Sequence, residues 1–358
     1  MRALRALALA FLGAACAKPA PVAVSRTAVP PDVVDLHVDL GDAVHRRGLD
    51  LASPELDANA DRLARGHVTE LVSPLFVPDA QDRPSAQVLA EYSVIERDLR
   101  AALAASAWRG TVILAFEGAD GFADDPSALA GFAARGACLV GLVHRRSNAL
   151  GGASQEPASA ERKRGLSDRG RAVARAALDS GMLLDVAHAS DATFDDLAAL
   201  AESAHRPIVD SHTGTRSLVD IERNLDDARI LRIARSGGVV GIDVHGGHVS
   251  RTPGEPPTLD DVAAHIEHAL AIAGIDHVAI GSDLAGAIDA PMGSDGAALF
   301  PALAVTLTRR GATAAAIDAV FHANAERVLA KCPRQPVAST VATFSERRSG
   351  LLRPVRIE

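Results

Sequence analysis

Short apolar runs rich in β-branched residues recur along the chain, at Val33–Leu40, His67–Val77, Thr111–Phe116, Cys138–Val143, Met182–Ala187, Pro207–Asp210, Gly238–Val244 and His277–Gly281. Between most of them lie Ala- and Leu-rich stretches with apolar residues at helical spacing: Ser85–Ala105, Asp168–Ser180, Thr193–Ala204, Arg223–Ser236 and Thr258–Ala273. Two more, Gly296–Arg309 and Thr313–Lys331, follow the last run. Strands that alternate with helices pair in parallel, because each helix carries the chain back to the same edge. Eight such units predict a closed (β/α)8 TIM-like barrel in preference to an open doubly wound sheet.

The polar residues fall where such a barrel would use them. His37 and Asp39 close the first run, Glu117 the third, His144 the fourth, His188 the fifth, His212 the sixth and Asp283 the eighth. In a parallel barrel these carboxyl ends share one face, where active sites are built. His37 and Asp39 stand two apart on a strand, so both point to one side. Taken singly, each has an ordinary reading as a satisfied core pair or a salt-bridge partner. Together at one mouth they predict a metal-dependent hydrolase. His and carboxylate ligands without thiolate suit zinc, and manganese, iron or cobalt would also fit. Five ligands exceed the three protein ligands of one catalytic zinc. Two ions bridged by Glu117 use them all, with His37, Asp39 and Glu117 on one and Glu117, His188 and His212 on the other. A carboxylated lysine bridge is closed off, since none of Lys18, Lys163 and Lys331 stands at a strand end.

Composition narrows the setting. The chain has 358 residues, 48% hydrophobic but only 3% aromatic, so its core must be built from Ala, Val, Leu and Ile. A net charge of −8 without a basic stripe argues against a nucleic-acid partner. Arg2 and Arg5 precede an apolar run, Ala6–Ala15, too short to cross a bilayer, so residues 1–16 read as a signal peptide. Cys16 follows Leu12-Gly13-Ala14-Ala15 and offers a lipidation site that would attach the protein to a membrane; ordinary cleavage is the alternative. Residues 17–31 carry four prolines and read as a tether, residues 32–331 as the barrel, and residues 332–358 as a weakly ordered tail. Export to a bacterial periplasm or cell envelope is the expectation. Cys138 reads as a buried thiol, Cys138 and Cys332 are too few and too far apart in sequence for a disulfide framework, and no Cys-x-x-Cys pair offers a thiolate zinc site.

Beyond residue types, the chain resembles the membrane dipeptidase (renal dipeptidase-type) family of zinc peptidases over roughly residues 32–330. The likeness rests on Asp35-Leu36-His37-Val38-Asp39-Leu40, Phe116-Glu117-Gly118, Leu142-Val143-His144 with Asn148, Asp185-Val186-Ala187-His188-Ala189-Ser190, Ser211-His212, Arg223-Asn224 and Ile280-Gly281-Ser282-Asp283. Asn324-Ala325-Glu326-Arg327-Val328-Leu329 is similar to the family's closing helix. The resemblance implies the same metal ligands and adds three roles. His144 would polarise the scissile carbonyl, Arg223 would anchor the substrate carboxylate, and Asp283 would be the acid/base. It also implies small dipeptide substrates and a homodimer. Leu36, Val38 and Ala285 depart from the family's usual Gly, Asn and acidic residue, which alters the rim but removes no ligand. A related amidohydrolase acting on a lactone, an N-acyl amino acid or a β-lactam is the alternative within enzymes. A catalytically idle binding lipoprotein is the alternative outside them.

Overall fold

The computed structural model of the chain describes residues 31–157, 160 and 164–333. Within them, eight parallel strands close a barrel in chain order. They are β1 (Val33–Asp35), β2 (Val68–Leu75), β3 (Thr111–Glu117), β4 (Ala137–Gly141), β5 (Leu183–Asp185), β6 (Ile208–Thr213), β7 (Val239–Ile242) and β8 (Val278–Ile280). The ring is completed where Asp35 of β1 meets Ile280 of β8. Every strand lies on a predicted run. β6 continues three residues past the predicted end at Asp210, which carries His212 into the sheet.

The helices form where apolar spacing and end signals agree. In Ser85–Ala105, Val88, Tyr92, Ile95 and Leu99 repeat on one face and are buried. Ser167 and Ser190 cap Asp168–Asp179 and Asp191–Ser203, and Thr258 with Asp261 makes a reciprocal capping box on Leu259–Ala273. The predicted last helix is continuous in direction but changes pitch, with a π turn at Ala319–Ala323 between Ala314–Asp318 and Asn324–Leu329. The scarce aromatics are concentrated: Tyr92, Phe116, Phe122 and Phe132 pack edge-on or stacked beside β3.

Inside the barrel, Val34, Val72, Ile113, Leu139, Leu183, Val209, Val239 and Ala279 bring one residue from each strand into a cluster with Ala325, Val328 and Leu329 of the final helix. That helix therefore plugs the floor, at the amino ends of the strands. Here the cysteine reading needs correction. Cys138 and Cys332 form a disulfide, with Cα atoms 5.4 Å apart despite a sequence separation of 194. Chain distance said nothing about proximity, because the last helix turns under β4. Cys332 is also 9% exposed and belongs to the barrel rather than to a loose tail. The signal segment 1–16 with Cys16, nearly all of the tether and the tail beyond residue 333 lie outside the described residues.

Candidate metal centre

Glu117 is the last residue of β3, and its Oε1 is the hub of the barrel mouth. It lies 2.9 Å from His188 Nε2, 3.5 Å from His212 Nε2, 3.6 Å from His37 Nε2 and 3.9 Å from His144 Nε2. His37 Nε2 is in turn 3.6 Å from Asp39 Oδ1 and 4.0 Å from Asp283 Oδ1. All seven residues expected at strand ends thus meet at one point. Three overlapping sets could each hold a cation: His37 with Asp39 and Glu117, Glu117 with His144 and His188, and His37 with His212 and Asp283. Glu117 is shared by the first two.

The hydrogen bonds around the cluster leave its inner atoms bare. His188 Nδ1 donates to Gln155 Oε1 at 2.8 Å, so its Nε2 carries a lone pair. That nitrogen faces His212 Nε2 at 3.0 Å, while His212 Nδ1 is engaged with Ser211 Oγ at 2.9 Å. His37 Nε2 and Asp39 Oδ1 are buried without a hydrogen-bond partner. Lone pairs and a carboxylate oxygen converging in a buried space are costly unless a cation sits among them. Charge states agree. Burial pushes Glu117 up to about 8, with the His37 charge opposing and Asp39 adding. Burial first, then Asp39, lifts Asp283 well above the carboxylate range. Burial, aided by Arg223 for His188 and by His37 for His212, keeps both imidazoles well below their ordinary value. For His37 burial pulls downward but Glu117 and Asp39 outweigh it, raising it to about 10. Such a set binds protons where it could bind metal, and the residues present fit a divalent cation.

Neighbouring groups fix this geometry. Asp35 accepts from Ser282 Oγ at 2.5 Å, Ser282 N at 2.8 Å and His37 N at 3.2 Å, tying the ends of β1 and β8 together. Asp185 Oδ1 accepts from Ala187 N at 3.1 Å and Ser211 N at 3.0 Å, doing the same for β5 and β6. Tyr92 Oη donates to Gly118 O at 2.6 Å and holds the turn after Glu117, where Gly118 has φ +84. His188 (φ 62) and Asp283 (φ 63) are left-handed without being glycine. Each is a strained backbone that only its surroundings enforce.

Above the cluster opens a cavity of about 450 Å³, lined by His144, His188, Asp39, Glu117 and Asp283 among others. Roughly 300–1,000 Å³ is usual for small-molecule sites. His144 packs edge-on against Phe76 and His188. Burial, then the charges of Arg145 and Arg223, bring it down to about 3, so it faces the cavity as a neutral imidazole. Arg223 does not line this cavity and does not overhang it as expected. It is buried, donates Nη2 to His212 O at 2.6 Å, and leaves Nε and Nη1 without partners. Among the lining residues that were not anticipated are Gln155, Arg145, His245 and His248. The last two follow the seventh run, whose Asp243 was not counted among the polar closures.

A model of the membrane dipeptidase family (peptidase family M19) matches residues 24–339. The chain belongs to that family. An uncharacterised dipeptidase of Schizosaccharomyces pombe is 29% identical over 197 residues, 55% of this chain and 47% of the relative. Dipeptidase ataJ of Aspergillus terreus is 32% identical over 149 residues, 42% of this chain and 36% of the relative. The M19 chain thus aligns with no more than about half the length of these curated relatives. Its fold matches a Rhodobacter sphaeroides metallopeptidase, solved with a phosphinate mimic of the dipeptide L-Ala-D-Ala, at a TM-score of 0.70 and 22% identity, covering 85% of this chain and all of the other.

Proposed function

We propose that this M19 protein is a dipeptidase that works with two zinc ions, held by His37, Asp39, Glu117, His188 and His212 and bridged by Glu117. The observation that carries the reading is the single Glu117 oxygen within 3.9 Å of four imidazole nitrogens from four strand ends. Bound there, divalent cations supply Lewis acidity toward a carbonyl and lower the pKa of a water. The chain's own groups do the rest. Asp283, with Oδ1 4.0 Å from His37 Nε2, acts as a carboxylate that takes a proton from the attacking water and returns it to the leaving amine. His144 donates Nε2–H to the oxygen of the scissile carbonyl as negative charge builds on it, which a neutral imidazole does without repelling nearby cations. Arg223, with two unpartnered nitrogens, supplies positive charge for the substrate's free carboxylate. The relatives' dipeptidase names favour dipeptides over the lactone, N-acyl amino acid or β-lactam alternative.

The disulfide supports a working place outside the cytoplasm, since such bonds persist in oxidising compartments. Elemental analysis of purified protein, with a dipeptide library assayed on the same sample, tests the whole reading. Two zinc ions per chain and turnover of dipeptides are expected. An active protein with one ion or none would refute the paired centre.

A further inference from the structure

The loop after β8 carries Asp283 into the mouth on an uncommon backbone. Asp283, Ala285 and Ala287 stand at φ 63°, 67° and 58°, where residues with side chains are strained. Such a segment keeps its shape only if its surroundings hold it. Its first half is pinned to the chain that leaves β1: Asp283 N donates to His37 O at 3.0 Å, and Asp39 N donates to Leu284 O at 2.8 Å. Ala285 has no polar side chain to bind with, so the next step is held through its peptide groups. Ala285 N donates to Asp57 Oδ1 at 2.8 Å, and Ala285 O accepts from Arg47 Nη1 at 2.7 Å.

Both jaws of this clasp are themselves anchored. Arg47 stands just past the short helix Leu40–His45, which begins directly after Asp39. Asp57 O accepts from Ala297 N at 2.8 Å, and Leu56 O, the carbonyl before it, accepts from Arg62 Nη1 at 2.7 Å. Beyond the clasp the segment has no slack. A methyl group built on Gly286 would stand 2.6 Å from Asp39 Oδ2 and 3.3 Å from Asp283 Oδ1. A shift of the Ala285–Gly286 peptide is therefore felt directly by both carboxylates. Neither Arg47 nor Asp57 lines the cavity.

We propose that Asp57 and Arg47 are positioning residues, which grip the N–H and the carbonyl of Ala285 and so hold the Asp283 carboxylate where proton transfer requires it. They act through the loop and touch neither substrate nor cation. The proposal rests on the dipeptidase reading for the chemistry of Asp283, but not for the clasp. Steady-state assays with a dipeptide compare wild type, Asp57→Ala, Asp57→Asn and Arg47→Met, with zinc content measured in each. Amide hydrogen exchange follows Ala285 N–H in the same proteins. In Asp57→Ala kcat should fall about 10–100-fold, the cost of roughly 1 Å of misplacement. KM and zinc content should stay within about twofold of wild type. Exchange at Ala285 should speed by at least about tenfold as the segment loosens. Asp57→Asn keeps an oxygen to accept from Ala285 N, and should recover most of kcat and the slow exchange. Arg47→Met should lower kcat as Asp57→Ala does, and carries the test if Asp57→Ala fails to fold. In an Asp283→Asn background, Asp57→Ala should cost little more, because both act on one step. A full kcat in either folded variant overturns the proposal. So does a loss of kcat that brings a loss of zinc, that Asp57→Asn does not relieve, or that adds in full to Asp283→Asn. If wild type hydrolyses no dipeptide, the dipeptidase reading fails. Fast exchange in Asp57→Ala with slow exchange in Asp57→Asn then still upholds the clasp, and equal rates in the two overturn it.

Discussion

The mouth of the barrel and its floor are made of the same eight strands and obey opposite rules. At the mouth, His37 Nε2 and Asp39 Oδ1 are buried without partners, and His188, Asp283, Ala285 and Ala287 adopt left-handed backbones. Each such residue costs about 1–3 kcal/mol. At the floor, Val34, Val72, Leu183 and Val239 close on Ala325, Val328 and Leu329, and a disulfide ties β4 to the chain beyond the final helix. Stability gathers at one end so that an unfavourable arrangement can be held at the other. Variants at the mouth should therefore change metal and turnover with little loss of stability, and variants at the floor should do the reverse.

The largest effect is expected at the hub. Glu117→Gln keeps the size of the side chain but removes the carboxylate that two of the three candidate cation sets share. Metal and activity should disappear together, with kcat/KM down by more than about a thousandfold, since the whole centre is lost. With chelator present, the urea midpoint should match that of metal-free wild type, because burial already holds Glu117 neutral near pH 7. A variant that retains two zinc ions would remove Glu117 from the bridge. Asp283→Asn sharpens the contrast within the mouth. It should keep zinc content by elemental analysis and lower kcat by about 10²–10⁴, the usual worth of a positioned acid/base. Loss of zinc in this variant would make Asp283 a ligand, as its place beside His37 and His212 allows.

At the floor the expectation inverts. Cys332→Ser breaks the link to Cys138 and should cost about 2–5 kcal/mol of unfolding free energy, mainly by freeing the unfolded chain. Zinc content and kcat at 25 °C should match wild type, because the bond lies at the opposite end of β4 from His144. Denaturant unfolding with and without reductant measures the first, steady-state assays the second. A Cys332→Ser protein of full stability but altered kcat would break the division between the two ends.

Much of this division was legible in the residues. Strand ends could be read because a β-rich run that finishes in His, Asp or Glu has a physical meaning in a parallel barrel. That logic located His37, Asp39, Glu117, His144, His188, His212 and Asp283 correctly at the mouth. Gln155 was out of reach, since it lies in a segment without strand or helix periodicity and is placed only by its bond to His188. Asp243 and His248 were within reach, as the seventh run carries a carboxylate one residue before its end, but their partnership depends on a four-residue turn. The disulfide was hidden because 194 residues separate its cysteines and only the final helix brings them together. Arg223 was placed in the right connection but at the wrong depth: its position in a loop suggested reach, whereas its bond to His212 O draws it inward.

The smallest effect expected is a matter of protons. In the metal-free protein Glu117 is raised from 4.5 to about 8 and His37 from 6.5 to about 10, so both hold protons in the folded state that the unfolded chain gives up sooner. The stability each contributes is complete below its ordinary value and is lost as pH rises through the raised one. His188 and His212 are lowered, so their contribution is present above 6.5 and is lost only on acidification. Between pH 6.5 and 8 the first pair acts, Asp283 is raised in the same direction, and metal-free protein should grow less stable as pH rises. A cation must displace those same two protons, so its affinity should increase over this window by up to about tenfold per pH unit for each proton released. Thermal unfolding with chelator and with zinc, at pH 6.5, 7 and 8, should show the two melting temperatures separating. A constant gap would mean that Glu117 and His37 stand deprotonated before any cation arrives, leaving an open mouth whose charge is balanced by other groups.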